Sequence, residues 1–597
     1  MLKKSTLVFL LLLIFAACKN ENKEVTPPTD ISVSENFDKL LETYYEDGLR
    51  IDPISATFIG DNRYSHQFPN FLSGDYLAGL KNHYTNYKEK LAKIKDADLS
   101  ETQQMSKAVL TWECDINLDA FNFKQDIYFP INQMWTVNLL MGQLASGSSA
   151  QPFKTVEDYN RWLLRVEGFI AWLNTAEIRM KEGMAAGYVL PKALINKVIP
   201  QMQAMAEADV EKNLYYSPIN NFPDSFSEVE KAQLTETYSK MISEKIVPTH
   251  QRLANFLIIE YLPAGRTTTG IAETPNGEAY YKHQIKKYTT TNMTADEIHQ
   301  LGLSEVARIS SEMEKVKEQV GYKGDLKSFF NSVRANKDLM PYTQPQQVID
   351  YYSSIEQRLQ PQLEILFDRK PKAAFMVKQT EAFREKSASA QYNPGAMDGS
   401  RPGVFYVPIP DASKYNIHVA ESLFLHEAIP GHHYQISLTQ ENENLPKFRK
   451  NLFYSGYGEG WALYSESLGK ELGLYTDPYQ YFGMLGAEMH RAIRLVVDTG
   501  MHSKNWTREQ AIQYSMDNEA RSEAKIVSEI ERYMANPGQA LAYKIGQLKI
   551  LELRAQAEKE LGEQFDIREF HNQVLETGCI PLALLEDKIN IWIESSK

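Results

Sequence analysis

Four residues that lie close together in the chain carry side chains able to bind a divalent metal and to move a proton. They are His426, Glu427, His432 and His433, in the stretch LHEAIPGHHYQ. Only 12 of the 597 residues are histidine, so such a density of imidazoles is unusual. The zinc signature H-E-x-x-H places two histidines one helical turn apart with the glutamate beside the metal. The motif therefore indicates metal-assisted hydrolysis, with His426 as a ligand and Glu427 as the general base.

The spacing of the motif departs from that signature at one position. Pro430 stands where the second histidine would be, and the next imidazoles follow at His432 and His433. Because proline removes a helical hydrogen bond, we expect a kink or bulge that can bring one of them to the metal. We favour His432 as the second ligand and His433 as a supporting or substrate-binding group. The reverse assignment, or histidines that only cap a helix end, are the alternatives.

A third ligand is expected downstream, because catalytic zinc takes three protein ligands and keeps one position open. The stretch GEGWALYSE contains two carboxylates, Glu459 and Glu466, seven residues apart on one face of a predicted helix. Glu459 stands between two glycines that permit a close approach, and we expect it to be the third ligand. Glu466 is placed to orient a ligand histidine from behind. The alternative for both is a solvated acidic face.

The pattern around these motifs is predominantly helical. Thr294 and Glu297 form a predicted capping box in front of a helix over 298–320. Apolar residues at three- and four-residue spacing predict further helices over 37–45, 76–94, 156–184, 230–261 and 345–366. The sequence thus predicts a mainly α protein with a large multi-helix, zincin-like fold. An N-terminal helical region, 35–285, and a metal-binding catalytic region, 286–597, are expected to form one continuous domain.

A small β element interrupts the helices directly before the metal motif. Turn residues at 393–395 and 399–403 precede a short run of β-forming residues at 404–407. We expect this element to line the active-site cleft. Since extended peptides often bind by adding to an exposed strand edge, the hypothesis is that the strand at 404–407 holds the substrate backbone.

The N-terminus predicts export and lipidation. Lys3 and Lys4 are followed by an apolar run, 7–15, that is too short to span a bilayer, and then by Ala-Ala-Cys18. This is typical of a bacterial lipoprotein signal peptide over 1–17, with Cys18 lipidated and 18–34 acting as a flexible tether. An ordinary cleaved signal peptide is the alternative. In the favoured interpretation the protein is anchored by lipid at the cell envelope, on its periplasmic or surface face.

The amino-acid composition limits the kinds of partner and metal site that we expect. The 64 basic and 77 acidic residues leave a formal net charge of −13, which argues against nucleic acid as a partner. Apart from Cys18, only Cys114 and Cys579 remain, and we expect two buried thiols, with a disulfide between them as the alternative. With no cysteine cluster, any transition metal must rely on imidazole and carboxylate. Oligomeric state has no signature in the sequence.

Several stretches together resemble one protein family. The chain is similar to the domain of unknown function 885 family, which looks like a distant relative of the gluzincin metallopeptidases. The stretches that carry the resemblance are 426–435 (HEAIPGHHYQ), 459–466 (EGWALYSE), 494–502 (RLVVDTGMH), 537–546 (PGQALAYKIG) and 399–406. The resemblance implies a large helical fold with a metal cleft.

The resemblance also draws attention to residues outside the two metal motifs. Tyr543 and His502 lie in matching stretches and can donate hydrogen bonds, so both are candidate donors to the oxyanion of the reaction. Asp498, four residues before His502 on a predicted helix, is expected to support it, or to serve a structural role. Arg532 can hold a substrate carboxylate with two parallel bonds, or can pair with a neighbouring glutamate.

Together these features predict a zinc-dependent hydrolase, a metallopeptidase that cleaves peptide or amide bonds at the cell envelope. The same zinc could serve a non-peptide amide or ester hydrolase. A third interpretation is a catalytically silent lipoprotein that binds peptides or glycans. Glu427 separates the last from the others, because a binding protein needs no general base beside two histidines.

Overall fold

The computed structural model describes residues 32–597, apart from 135, 148, 382–384, 386–387 and 396–400. The predicted signal peptide, Cys18 and all but the last residues of the tether lie outside the described residues, as do the first residues of the 399–403 turn. Within the described part of the chain, no helix combines the length and the apolar character needed to cross a bilayer.

The protein is mainly α, as the sequence predicts. The helices of the first part are α1 Val33–Ile51, α2 Pro53–Phe58, α3 Gly74–Ala92, α4 Glu101–Ala120, α5 Gln125–Tyr128, α6 Val137–Ala145, α7 Val156–Ala185, α8 Lys192–Met205, α9 Glu228–Met241, α10 Val247–Phe256, α11 Leu262–Ala264 and α12 Gly277–Thr289. Those of the second part are α13 Ala295–Gln319, α14 Leu326–Ala335, α15 Pro345–Leu359, α16 Leu363–Leu366, α17 Ala420–Glu427, α18 His432–Glu441, α19 Lys447–Lys450, α20 Ser455–Ser467, α21 Pro478–Ser503, α22 Arg508–Asn518, α23 Glu523–Ala535, α24 Ala542–Leu561, α25 Ile567–Leu575 and α26 Leu582–Ser596.

Local sequence accounts for several helix boundaries. The hydroxyl of Thr294 accepts a hydrogen bond from the backbone N–H of Glu297, whose carboxylate accepts the N–H of Thr294 at 2.8 Å. This is the predicted capping box, and it starts α13. The predicted helix over 230–261 is continuous from α9 to α11, with two π-helical turns, Ile242–Ile246 and Leu257–Tyr261, between its α-helical parts.

A three-stranded sheet precedes the metal motif. Its strands are β1 Phe375–Gln379, β2 Gln391–Asn393 and β3 Gly403–Val407, in the order β1-β3-β2. β3, the predicted strand, runs parallel to β1 and antiparallel to β2. Both edges of β3 are therefore paired, so the hypothesis that this strand offers a free edge to a peptide is wrong. Among the described strands, the edges belong to β1 and β2.

Helices α20 and α24 cross at glycine residues. A Cβ on Gly460 would lie 2.5 Å from the Cα of Gly546, and a Cβ on Gly546 would overlap the carbonyl oxygen of Gly456. Only hydrogen side chains allow the two backbones to approach this closely. The crossing sets Glu459, on α20, beside the first turn of α24.

Buried hydrophobic residues from both halves of the chain belong to one cluster, which includes Trp162 in the first half and Trp461 in the second. Cys114 and Cys579 are both buried and free, so the prediction of two thiols holds and there is no disulfide between them.

Candidate metal centre

The metal motif spans a break between two helices. Helix α17 ends at Glu427 and α18 begins at His432, so the expected kink is a complete interruption of four residues. A Cβ on Gly431 would overlap carbonyl oxygens in the last turn of α17, which explains the glycine at this position. The indole N–H of Trp461 on α20 donates to the carbonyl of Pro430 at 2.8 Å and ties the connection to α20.

Three side chains of the two motifs converge on one point. Nε2 of His426 lies 3.6 Å, and Nε2 of His432 lies 3.4 Å, from the same carboxylate oxygen of Glu459. The three candidate ligand atoms all lie within 4.8 Å of one another. Ligands at about 2.0–2.1 Å from a tetrahedral zinc ion are separated from each other by about 3.3–3.5 Å. The donor set and the two nitrogen–oxygen separations therefore fit a divalent metal.

Glu466 fixes the orientation of His426 from behind. Its carboxylate accepts a hydrogen bond from Nδ1 of His426 at 2.8 Å, and its other oxygen accepts the hydroxyl of Ser422. Burial raises the pKa of Glu466, but the bonds from His426 and Ser422 and the nearby Arg491 outweigh burial, and the pKa lies below its ordinary value. A charged carboxylate keeps the proton of His426 on Nδ1 and leaves Nε2 free as a ligand.

The two adjacent histidines face different surroundings. His432 directs Nε2 towards Glu459, whereas His433 is turned to the sheet, where its Nδ1 lies 2.8 Å from the hydroxyl of Tyr392. The ring of Phe375 packs on His433 with its centroid 4.7 Å away. Burial lowers the pKa of His433 to about 4. The geometry thus brings His432 to the candidate ligands and makes His433 a link between α18 and the sheet.

Glu427 lies next to the ligands and is buried, with 7% of its surface exposed. Burial raises its pKa above the ordinary value, and the charges of His426 and His432 oppose that rise without cancelling it. The backbone of Tyr392 on β2 lies close enough to the carboxylate to lower its pKa in part. A carboxylate with increased proton affinity beside a metal site is suited to accept a proton near neutral pH.

Tyr543 lies on α24, the helix that crosses the Glu459-bearing helix α20. It belongs to the first turn of α24, and Glu459 is among the charges that act on it. Burial raises the pKa of Tyr543, and the Glu459 carboxylate raises it further, so the hydroxyl keeps its proton at neutral pH. The guanidinium carbon of Arg494 lies 4.7 Å from the centroid of the Tyr543 ring.

Arg532, on α23, is a second arginine whose charge acts on Tyr543. It donates to Gln539 at 2.8 Å and to Glu529 at 3.2 Å, and its charge also lowers the pKa of Tyr543. Arg532 therefore pairs with a neighbouring glutamate, as the alternative prediction has it. This pairing does not use every N–H of the guanidinium.

His502 is placed differently from the expectation. The backbone N–H of Ile271 donates to its Nδ1 at 3.0 Å, and its Nε2 lies 3.0 Å from the carbonyl of Tyr533. Burial lowers its pKa to about 3. Both nitrogens are used by the backbone, so the interpretation of His502 as an oxyanion donor does not fit this position. Its role is to hold together three segments of the core.

Asp498 does not pair with His502. Its carboxylate accepts the hydroxyl of Tyr281 at 2.6 Å and the backbone N–H of Gly538 at 3.1 Å. Gly538 has a φ of +82° and precedes the short turn that leads into α24. Asp498 therefore fixes the entry to the helix that carries Tyr543, and it acts on the candidate site only through that helix.

Sequence reasoning overlooked two residues of the site. Tyr392 reaches both Glu427 and His433 from a three-residue strand that has no recognisable pattern. Arg494 is the first residue of the matching stretch 494–502, in which Asp498 and His502 carry the more reactive side chains.

Comparison with known proteins identifies the family. The profile of the DUF885 family, bacterial proteins of unknown function, matches residues 53–589. The chain belongs to this family. No functionally curated protein is similar to it in sequence.

Two solved structures have a fold similar to that of this chain. A predicted lipoprotein from Colwellia psychrerythraea superposes with a TM-score of 0.86 at 28% identity, covering 95% of this chain and all of the other. A predicted lipoprotein of unknown function from Shewanella oneidensis gives a TM-score of 0.73 at 19% identity, with 92% and 99% covered. A predicted oligoendopeptidase F from Bacillus anthracis reaches a TM-score of only 0.24 at 11% identity, which does not indicate a shared fold.

Proposed function

We propose that this DUF885 protein is a zinc-dependent hydrolase that cleaves peptide or related amide bonds, with His426, His432 and Glu459 as metal ligands. One observation carries the proposal: two imidazole Nε2 atoms lie 3.6 and 3.4 Å from one oxygen of Glu459, with the buried Glu427 directly beside them. Two nitrogens and one carboxylate oxygen form a ligand set found in catalytic zinc sites that cleave peptides.

Zinc bound there would lower the pKa of a bound water to about 7 and polarise the substrate carbonyl. Glu427 accepts the proton of the attacking water and transfers it to the leaving nitrogen. Tyr543 donates its hydroxyl proton in a hydrogen bond to the developing oxyanion. Glu466 keeps the ring of His426 in its orientation throughout, through the bond to Nδ1.

The edge of β2 is suited to hold the substrate. β2 is an edge strand of the described sheet, and the backbone of Tyr392 in its centre reaches the carboxylate of Glu427. An extended peptide aligned along this edge would bring a scissile carbonyl next to the general base. The proposed substrate-binding strand is thus β2, and not β3 as expected from the sequence, because both edges of β3 are already paired.

The proposed place of action is the cell envelope. The chain has the features of a lipoprotein signal peptide that ends before Cys18. The two solved relatives of similar fold are themselves described as predicted lipoproteins. A lipid on Cys18 would hold the catalytic region near a membrane surface.

The decisive experiment is a peptide-library digest by residues 19–597, purified and analysed for metal. We expect about one zinc per chain, hydrolysis that stops with chelator, and recovery when zinc is returned. His426→Ala should abolish both metal and activity, and His66→Ala, far from the motif, should change neither. Wild-type protein that binds no metal and cleaves no peptide or amide would contradict the proposal.

A further inference from the structure

Arg494, which is buried, and Arg532, which is partly buried, share one carboxylate beside the candidate site. Nη2 of Arg494 lies 2.9 Å, and Nη2 of Arg532 lies 3.2 Å, from the same oxygen of Glu529. The hydroxyl of Tyr533 donates to that oxygen as well, at 2.6 Å. Two guanidinium charges thus face a single negative charge, and one positive charge is left over. Buried charges are normally paired, so an excess of this kind indicates a missing anion.

The neighbouring acidic residue does not supply that anion. Glu519 accepts a hydrogen bond from Nδ1 of His490 at 2.7 Å and lies 3.5 Å from Nε of Arg521. His490 turns its Nε2 to Glu529 at 3.3 Å, so it adds no negative charge. Asp498, on which the charge of Arg532 also acts, already accepts hydrogen bonds from Tyr281 and from the backbone N–H of Gly538. These two acidic residues are therefore engaged with other partners.

Each of the two arginines also keeps a buried N–H group with no partner among the described residues. These groups are Nη1 of Arg494 and Nε of Arg532. The side chains are 9% and 13% exposed, so water does not readily replace a missing acceptor. An unsatisfied buried donor is costly, and guanidinium groups match the geometry of a carboxylate. The free donors therefore suit an incoming carboxylate.

The arginine pair is connected to the metal motif through Tyr543. Arg494 lies against the face of Tyr543, with 4.7 Å between the guanidinium carbon and the ring centroid. The charge of Arg494 lowers the pKa of Tyr543, whereas the charge of Glu459, a candidate metal ligand, raises it. Arg494 and the candidate ligand Glu459 thus both act on Tyr543, which links the arginine pair to the candidate metal centre.

We infer that Arg494 and Arg532 bind the C-terminal carboxylate of the substrate, so that the protein removes short fragments from the C-terminal end of peptides. This inference rests on the proposed hydrolase function and specifies its substrate class. The scissile C–N bond breaks, the carbonyl carbon gains oxygen from water, and the proton of that water goes to the departing amine. The released piece is a free amino acid or a dipeptide.

Binding and cleavage are tested with matched probes, N-acetyl-trialanine and its C-terminal amide. Calorimetry on Glu427→Gln, which should not turn over, is expected to show the free acid binding at least about tenfold more tightly than the amide, as for one charge-assisted contact. Arg494→Gln and Arg532→Gln, each added to this background, should reduce acid binding to the level of the amide. Arg508→Gln removes an arginine of α22 that pairs with Glu531, the neighbour of Arg532 on α23, and should leave the preference intact.

Equal binding of acid and amide by the Glu427→Gln protein would overturn the inference, and this comparison requires no change in either arginine. Cleavage of internal bonds at equal rates in acid and amide peptides would overturn it too, while the hydrolase function would stand. An acid preference that depends on Arg494, in a protein that cleaves no peptide, would support the carboxylate site and remove the proposed hydrolase.

Discussion

Glu466 accepts a hydrogen bond from Nδ1 of His426 at 2.8 Å, and this contact determines which imidazole nitrogen faces the candidate metal. Glu466 is held in turn by Ser422 and lies 3.9 Å from Arg491. The two sequence motifs are therefore connected twice: once through the candidate ligand Glu459, and once through Glu466, which follows seven residues later on the same helix.

Glu466→Gln is expected to weaken metal binding by about 10–100-fold, because the uncharged amide no longer enhances the basicity of His426. Competition with a chromogenic chelator measures the change. Glu471→Gln is the matched control, since this glutamate lies near the end of the same segment and pairs with Arg554 at the surface. Unchanged affinity in Glu466→Gln would show that the contact is only structural.

His432→Ala and His433→Ala should have different consequences. His432→Ala should lose the metal, because its Nε2 is one of the three converging atoms. His433→Ala should retain it, but should lower the free energy of unfolding by about 1–3 kcal/mol, because the buried hydroxyl of Tyr392 loses its partner. Metal analysis and urea unfolding of both variants show which histidine binds the metal and which stabilises the fold. Loss of metal only in His433→Ala would reverse the assignment.

The helices and the centre of the site were accessible from the sequence, because they depend on local patterns. Apolar spacing predicts long helices such as α7, and Thr294 with Glu297 predicts the start of α13. Strands β1 and β2 were missed because short edge strands carry no clear alternation. That omission also led to β3, rather than β2, being assigned the free edge.

What could not be predicted depends on distant backbone partners. His502 has a side chain suitable for catalysis, but its nitrogens are used by Ile271, 231 residues earlier, and by Tyr533, 31 residues later. Similarly, the excess positive charge of Arg494 and Arg532 emerges only when α21 and α23 pack together around Glu529. The sequence shows which side chains have reactive groups, whereas the tertiary structure determines which of these groups are not already hydrogen-bonded to other residues.

Glu427→Gln should keep about one metal per chain and lose turnover by a factor of about 100 or more, because the amide cannot accept the proton of water. Single-turnover hydrolysis of a peptide that the wild type cleaves measures the loss, and metal content is measured on the same sample. Glu421→Gln offers no suitable control, since that residue pairs with Arg358 and holds Tyr475. Glu443→Gln, in the loop after α18, serves instead. Retained turnover in Glu427→Gln would remove this residue from the mechanism.

Gly546→Ala should destabilise the protein by about 1–3 kcal/mol or more, because the new methyl group overlaps the carbonyl of Gly456 and separates α20 from α24. Metal affinity should fall with it, since Glu459 lies at the same crossing. Gly79→Ala, in α3 with no atom within 4 Å of the added group, should be neutral or stabilising by about 0.5–1 kcal/mol. Thermal unfolding distinguishes the two, and equal stability of both variants would mean that the helices do not approach as described.

Asp498 should make stability depend on pH. Burial raises its pKa from 3.8 to about 7, so the folded protein holds the proton more tightly than the unfolded chain. The stabilisation is complete below pH 3.8 and is lost as the pH rises to about 7, to an extent of order 4 kcal/mol at most. Asp498→Asn cannot ionise, and its amide oxygen can still accept from Tyr281 or Gly538. Urea unfolding at pH 5 and pH 8 should therefore show the free energy of unfolding falling less with pH in Asp498→Asn than in the wild type. Parallel profiles for the two proteins would mean that Asp498 is ionised in the fold across this range, and that Tyr281 and Gly538 stabilise its charge.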